Sequence, residues 1–308
     1  MKYIHILLFL LLLGCNSTEK TGENKPKIVT STGMLYDAVI NIVGDKMEAE
    51  ALMGPGVDPH LYKATQGDLS RLRAADIIVF NGLLLEGKMG EILKQLGKRK
   101  TVVAAAESIP DSMLRSSIQY ENAYDPHVWF DVSLWKYAVN EIGRAIIEYD
   151  STNRDYYQAN LGKYISQLDT LHQSVKQKIS SIPKKKRVLV TAHDAFGYFG
   201  AAYDIQVEGV QGLSTVSDFG LRDIADISDL IIKNNVSAIF VESSVSDKAI
   251  KAVVIGCQQQ GHNVRIGGSL YSDAMGPFGS TEGTYIGMVE YNTQTITTEL
   301  LDGADTAL

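Results

Sequence analysis

The sequence predicts an α/β protein of two lobes with parallel-type sheets, joined by a single long helix. Short β-branched runs that end at Gly or Asn-Gly alternate with helical periodicity through residues 28–152. The same alternation restarts at RVLVTAH, residues 187–193, although no sequence repeat joins the halves. Between them, residues 153–182 form the longest stretch of helical spacing in the chain.

The first half opens with KIVTSTG, a short strand ending at Gly33, followed by MLYDAVINIVG with apolar residues at helical spacing. MEAEALMGPG predicts a strand that runs into a turn carrying Asp58-Pro59-His60. DLSRLRAADIIVFNG predicts a helix and then a buried strand stopped by Asn81-Gly82. A helix ending at Gly97 and the strand TVVAAA complete this half, and the chain from Asp125 is expected to be helical after Asp131. In the connecting stretch Tyr157, Leu161, Tyr164, Ile165, Leu168, Leu171, Val175 and Ile179 recur at three and four. Such a helix would run roughly 40–45 Å, longer than one lobe needs. The second half reads as RVLVTAH, a helix, IQVEGVQG, the helical DIADISDLIIKNN, the strand AIFVE, a helix over 247–260, and NVRIGG. In open parallel sheets ligands bind at the carboxyl ends of the strands, where His60 and His193 fall.

The N-terminus MKYIHILLFLLLLGC has one lysine, a short apolar run and a small residue before a cysteine, which predicts a cleaved signal over residues 1–14. The run is too short to cross a bilayer, which takes about 20 residues. Leu12-Leu13-Gly14-Cys15 resembles the bacterial lipobox, in which the cysteine is lipid-modified and becomes the new N-terminus. The polar residues 15–27 are expected to form a lipid-anchored flexible tether to lobes at 28–152 and 183–308, joined by residues 153–182. Only Cys257 remains beyond Cys15, so stability must come from a core, with Cys257 as buried filler in an apolar lead-in that offers a thiolate no support. The chain carries 29 basic and 36 acidic residues; removal of residues 1–14 takes one lysine, giving 28 − 36 = −8, a balance that argues against nucleic acid.

Potential metal ligands are spread along the chain in Gly-, Pro- and Asp-marked segments: His60 in GVDPH, His127 in DPHVWFD, His193 in VTAHDAFGYF and Asp273 in YSDAM. Three imidazoles and a carboxylate would fill a four-coordinate shell, leaving no position for substrate water unless the shell expands, as suits carrying a metal rather than using it. Any one histidine is more often a packed or surface residue than a ligand. His172, mid-helix, and His262, at a helix end, are expected to be structural or solvated. In both Asp-Pro-His segments proline stiffens the backbone before the ring. Asp58 and Asp125 are candidates either to accept ring N–H groups or to cap their own turns, and Asp194 either to orient a ring or to cap the next helix. Glu242 in FVESS could face the cleft, end a strand or pair with a cation. Trp129, Phe130, Phe196, Tyr198 and Phe199 are expected to pack around the site and exclude water. Asp273 by itself would read as a local turn former.

VTAHDAFGYFG, AIFVESSV, IGGSLYSDAMG and EGTYIGM, with GVDPHLY and DPHVWFD upstream, resemble the zinc/manganese receptors of bacterial ABC importers, the TroA-type, ZnuA-like solute-binding lipoproteins. The resemblance covers essentially the whole chain after the tether. It implies that the connecting helix is rigid, that the lobes tilt only slightly, and that one metal ion is held between them. The family's ligands fall on His60, His127, His193 and Asp273. Two departures bear on the metal. Many zinc-dedicated members carry a His- and acid-rich insertion between the first two ligand motifs, whereas residues 61–126 here contain no histidine. Many manganese-dedicated members have glutamate at the third ligand, where this chain has His193. Imidazole-rich coordination favours Zn2+ over Mn2+, which prefers more oxygen and higher coordination.

The expected function is an extracytoplasmic receptor, lipid-anchored and monomeric, that captures Zn2+ or Mn2+ and delivers it to a membrane permease driven by a cytoplasmic ATPase. A manganese-dedicated receptor is the alternative within the family. A metallohydrolase would need an open metal position and a general base, and no HExxH or comparable motif is present. A surface adhesin is the remaining class, and no repeat array supports it.

Overall fold

The computed structural model describes residues 25–117, 122–216 and 219–302. The proposed signal, Cys15 and most of the tether lie outside the described residues.

The N-terminal half builds a four-stranded parallel sheet from β1 (Lys27–Thr30), β2 (Glu48–Ala51), β3 (Ile77–Phe80) and β4 (Thr101–Ala104), in the order β2-β1-β3-β4. β3 reads IIVF and is buried at every position, as an interior strand covered on both faces must be. Between the strands lie α1 (Gly33–Val43), α2 (Gln66–Ala74) and α3 (Met89–Leu96). Thr65 and Asp68 form a reciprocal capping box at the start of α2, which ends the loop that carries His60. The expected helix after Asp131 is α4 (Val132–Tyr149), and the Asp131 carboxylate caps it by accepting from the backbone N–H groups of Ser133 and Leu134.

The connecting helix α5 runs Arg154–Ser180, 27 residues, or about 40 Å. Its buried stripe is Tyr157, Tyr164, Leu168, Leu171, Val175 and Ile179. The C-terminal half pairs β5 (Val188–His193) in parallel with β6 (Gln206–Gln211), and β7 (Ala238–Glu242) in parallel with β8 (Arg265–Leu270). β5 also lies against β7. Helices α6 (Gly197–Tyr203), α7 (Leu221–Lys233) and α8 (Lys248–Gln259) connect these strands. The periodic reading stopped before a last helix, α9 (Tyr285–Asp302), which buries Tyr285, Met288, Val289, Ile296 and Leu300.

Each half has an outer core of its own. One is centred on Ile78, Phe80 and Leu93, the other on Val190, Ile239 and Val253, which also encloses the free Cys257. A third and larger core is continuous from Ile28 and Leu35 through Trp135, Leu168 and Leu171 to Leu189, Phe240 and Leu270. The two halves therefore share buried packing through α4, α5 and α9. Among the described residues no helix is long and apolar enough to cross a membrane.

Candidate metal centre

Every proposed ligand lies at or beyond the carboxyl end of a strand. His60 lies in the loop between β2 and α2, and His127 follows β4 at the end of an excursion that leads into the 3-10 turn Val128–Phe130. His193 is the last residue of β5, and Asp273 stands three residues beyond β8. Gly209 on β6 permits the close approach at His193, because a Cβ there would lie 2.4 Å from the Asp194 nitrogen and 2.6 Å from the His193 carbonyl carbon.

The four side chains converge. One ligand atom from each of His60, His127, His193 and Asp273 lies within 4.8 Å of all the others. His60 Nε2 stands 3.2 Å from His127 Nε2 and 3.6 Å from Asp273 Oδ2. His127 Nε2 is 3.5 Å from Asp273 Oδ1, and His193 Nε2 is 3.2 Å from Asp273 Oδ2. Donors about 2.0 Å from a tetrahedral ion sit about 3.3 Å from one another, close to these four separations, which draw on both Asp273 oxygens within a group that spans up to 4.8 Å. The side chains of His127, His193 and Asp273 are fully buried, and that of His60 is 4% exposed. Both Asp273 oxygens, both His193 ring nitrogens and Glu242 Oε2 are buried without a well-formed hydrogen bond among the described residues; Nδ1 and Oε2 face each other at 2.5 Å, and a central cation would relieve the atoms that point inward.

The supporting carboxylates divide in a way the local sequence does not reveal. Asp58 and Asp125 both accept the backbone N–H of the histidine two residues on, at 2.8 and 2.9 Å, so both Asp-Pro-His segments form the same turn. Asp125 Oδ1 is also 2.7 Å from His127 Nδ1 and orients that ring. Asp58 instead directs its second oxygen to Thr215 Oγ1, 2.5 Å away in the C-terminal half. Glu242, at the end of β7, accepts the His193 backbone N–H at 2.8 Å through Oε1 and stands 2.5 Å from His193 Nδ1 through Oε2. Glu242 thus both ends β7 and stands against the His193 ring. Asp194 takes neither role expected of it. The N-cap position of α6 is Phe196, and the hydrogen bonds seen for Asp194 are those of its backbone nitrogen, to the Gln211 and Gly212 carbonyls. Burial and repulsion from Asp125 raise the Asp194 carboxyl to about 6.

The surroundings hold the ligands in different charge states. Burial lowers His60 to about 3, which keeps its imidazole neutral. Burial also disfavours a charged His193, but the Glu242 and Asp273 carboxylates outweigh it and raise this ring well above its ordinary value. Burial pushes Asp273 up, yet the three histidines, His193 foremost, drive it below the usual carboxylate range.

Several supports were missed because their partners are distant in sequence. Asn292 on α9 grips the chain two residues before Asp273, accepting from Tyr271 N at 2.9 Å and donating to Tyr271 O at 2.6 Å. The Trp129 indole N–H donates to the Ser272 carbonyl at 3.1 Å, and the Tyr285 hydroxyl donates to the Trp129 carbonyl at 2.7 Å. The expected aromatic wall is present: Trp129, Phe130, Phe196, Tyr198 and Phe199 are all buried, with Phe130 and Phe196 ring centroids 4.1 Å apart. His172 and His262 lie outside the centre and bond the Tyr203 hydroxyl and the Val236 carbonyl. A cleft of about 330 Å³ reaches His60 between Leu83, Leu84 and Lys88 on one side and Leu213, Ser214 and Val216 on the other.

Residues 28–299 match the family described as zinc-uptake complex component A, periplasmic (ZnuA). The chain is 47% identical over 291 residues to the manganese-binding lipoprotein MntA of Bacillus subtilis, covering 94% of this chain and 95% of that protein. It is 45% identical over 284 residues to the zinc-binding protein TroA of Treponema pallidum, covering 92% of each. The solved structure of the periplasmic zinc-binding protein TroA from that organism superposes with a TM-score of 0.87 at 46% identity, over 90% of this chain and 99% of the other.

Proposed function

Because the chain belongs to the ZnuA family, we propose that it is the extracytoplasmic metal receptor of an ABC importer, holding Zn2+ or Mn2+ between its two halves through His60, His127, His193 and Asp273. One observation carries this reading: three imidazole Nε2 atoms and a buried carboxylate, drawn from both halves of the chain, meet within 4.8 Å. The imidazoles, His193 on giving up its ring proton, and an ionised aspartate capture the cation, and the Asp125 and Glu242 carboxylates stand behind two of the rings. A permease and its cytoplasmic ATPase receive the ion. A lipid at Cys15 and the tether to residue 27 keep a monomeric receptor at the membrane, with lobes at 28–152 and 183–308 about the helix at 153–182.

Nitrogen-rich coordination favours zinc. Manganese is the second reading, on a specific ground. Asp273 turns Oδ1 toward His127 and Oδ2 toward His60 and His193, so both oxygens face the centre and the shell can expand beyond four. The enclosed donor set suits carriage better than hydrolysis, since hydrolysis needs an open metal position for water.

Thermal unfolding of the chelator-stripped protein, beginning at residue 16, tests the reading with no metal, one equivalent of Zn2+ or one of Mn2+. A ligand that binds only the folded state stabilises by RT ln(1 + [L]/Kd), so tight capture produces a large upward shift. The expected result is a larger shift with zinc that His193→Ala removes. Comparable shifts would indicate a dual or manganese receptor, to be decided by uptake. No shift with either metal would reject the four-ligand centre.

A further inference from the structure

Of the three histidine ligands, His60 has the least support of its own. Asp125 orients the ring of His127 and Glu242 that of His193, whereas the carboxylate nearest in sequence to His60, Asp58, holds only its backbone N–H. The position of that carboxylate is set from the other half of the molecule. Thr215, in the loop after β6, donates its hydroxyl to Asp58 Oδ2 at 2.5 Å, joining residues 157 apart in sequence, one from each half, beside Ser214 and Val216 of the cleft that reaches His60. Thr215 is half-buried and is not one of the four clustered ligand residues. The sequence of contacts is therefore Thr215 Oγ1–H to Asp58 Oδ2, Asp58 Oδ1 to His60 N–H, and His60 Nε2 to the centre.

We infer that Thr215 is a positioning residue for metal retention, a latch between the two halves that holds the His60 loop in place through Asp58. The inference rests on the metal-receptor reading. Any movement that parts the halves breaks the Thr215–Asp58 bond and frees the least supported histidine first. Release therefore begins at His60, while His127 and His193 keep their carboxylate supports. A hydrogen bond to a carboxylate is stronger than one between neutral groups, so its loss should be felt by the ligand loop rather than absorbed.

The test is the rate at which Zn2+ leaves the loaded protein into excess chelator, for the parent, Thr215→Val, Thr215→Ala and Thr215→Ser. Valine keeps the volume and removes the hydroxyl, and serine restores the hydroxyl. Valine and alanine should release zinc about tenfold faster or more, and serine at close to the parent's rate. Metal-free unfolding midpoints of the variants should stay near the parent's, which separates a latch from a general loss of packing. In the metal-free protein, amide exchange at His60 should also speed up in the valine variant, since its acceptor is no longer held. Parent-like release from both the valine and alanine variants would overturn the latch and leave the receptor reading standing. A parent protein that binds no metal would overturn the receptor reading itself, and the latch with it.

Discussion

Glu242 receives His193 twice, accepting its backbone N–H at 2.8 Å and standing 2.5 Å from its ring Nδ1. The two residues end β5 and β7, strands of separate pairs that lie against each other, so the adjacent strand ends bring the carboxylate to the ring. With Nδ1 engaged, the Nε2 lone pair is left to face the centre.

Removing that support should weaken capture without abolishing it. Glu242→Ala is expected to lower metal affinity by about 10- to 100-fold, the usual cost of losing a carboxylate behind a histidine ligand. Competition against a chromogenic chelator measures it. Asp125→Ala should behave similarly through His127, whose Nδ1 lies 2.7 Å from Asp125. Asp194→Ala should leave affinity near the parent's, because its side chain holds neither ring.

Metal binding should expel a proton at neutral pH, and His193 is its source. Burial opposes charge on this ring, but Glu242 and Asp273 raise it well above 6.5, so the metal-free protein carries it as imidazolium. A metal needs the Nε2 lone pair, so binding displaces that proton, and affinity should fall about tenfold per pH unit below the raised pKa. His60, lowered to about 3 by burial, contributes no proton near neutrality. Titration calorimetry in buffers of different ionisation enthalpy should count about one proton released. The sign for stability is opposite: in the metal-free fold the charged His193 stabilises fully below its unfolded value, and this contribution is lost as pH rises through the folded one.

Asn292 should influence the metal from a helix that makes no ligand. Its side chain both accepts from and donates to Tyr271, two residues before Asp273. Asn292→Ala leaves two part-buried backbone groups of Tyr271 without this partner, at up to about 1–3 kcal/mol. The expected result is lower stability in urea together with weaker zinc binding. Asn292→Asp keeps the acceptor and loses the donor, and should fall between the alanine variant and the parent.

The connecting helix is tied to the first helix by a buried hydroxyl–carboxylate bond, Tyr164 Oη donating to Asp37 Oδ2 at 2.7 Å. Burial raises Asp37, and the Tyr164 bond counteracts this. A raised carboxyl makes its ionised form a liability, so its destabilising effect grows as pH rises from 3.8 through the folded value. Tyr164→Phe removes the opposing bond and should cost about 1–3 kcal/mol at neutral pH and less near pH 4, measured by urea denaturation at both.

Much of this architecture is legible in the sequence because its signals are local. β3 is IIVF because both faces are covered, and α5 shows its stripe because one side must stay buried along its length. The Asp-Pro-His turns at 58–60 and 125–127 are readable from proline stiffness and the aspartate that bonds two residues on. α9 was missed although Tyr285, Met288, Val289, Ile296 and Leu300 recur at helical spacing, because Asn292 and Thr293 interrupt the apolar run with buried polar side chains.

By itself, then, the sequence determined the alternation of strands and helices, the long connector, and three histidines placed on turns and strand ends, since proline, glycine and periodicity act over a few residues. Asp273 needed the likeness of its surroundings to a known family, because one aspartate in a loop has no local mark. Only the tertiary structure decided which carboxylate serves which ring. Asp58 and Asp125 occupy the same Asp-Pro-His turn, yet one reaches across the cleft to Thr215 and the other bonds its own histidine. The reason is physical. A carboxylate's partner is whatever donor lies within about 3 Å in three dimensions, and which donors those are depends on the packing of strands far apart in the chain.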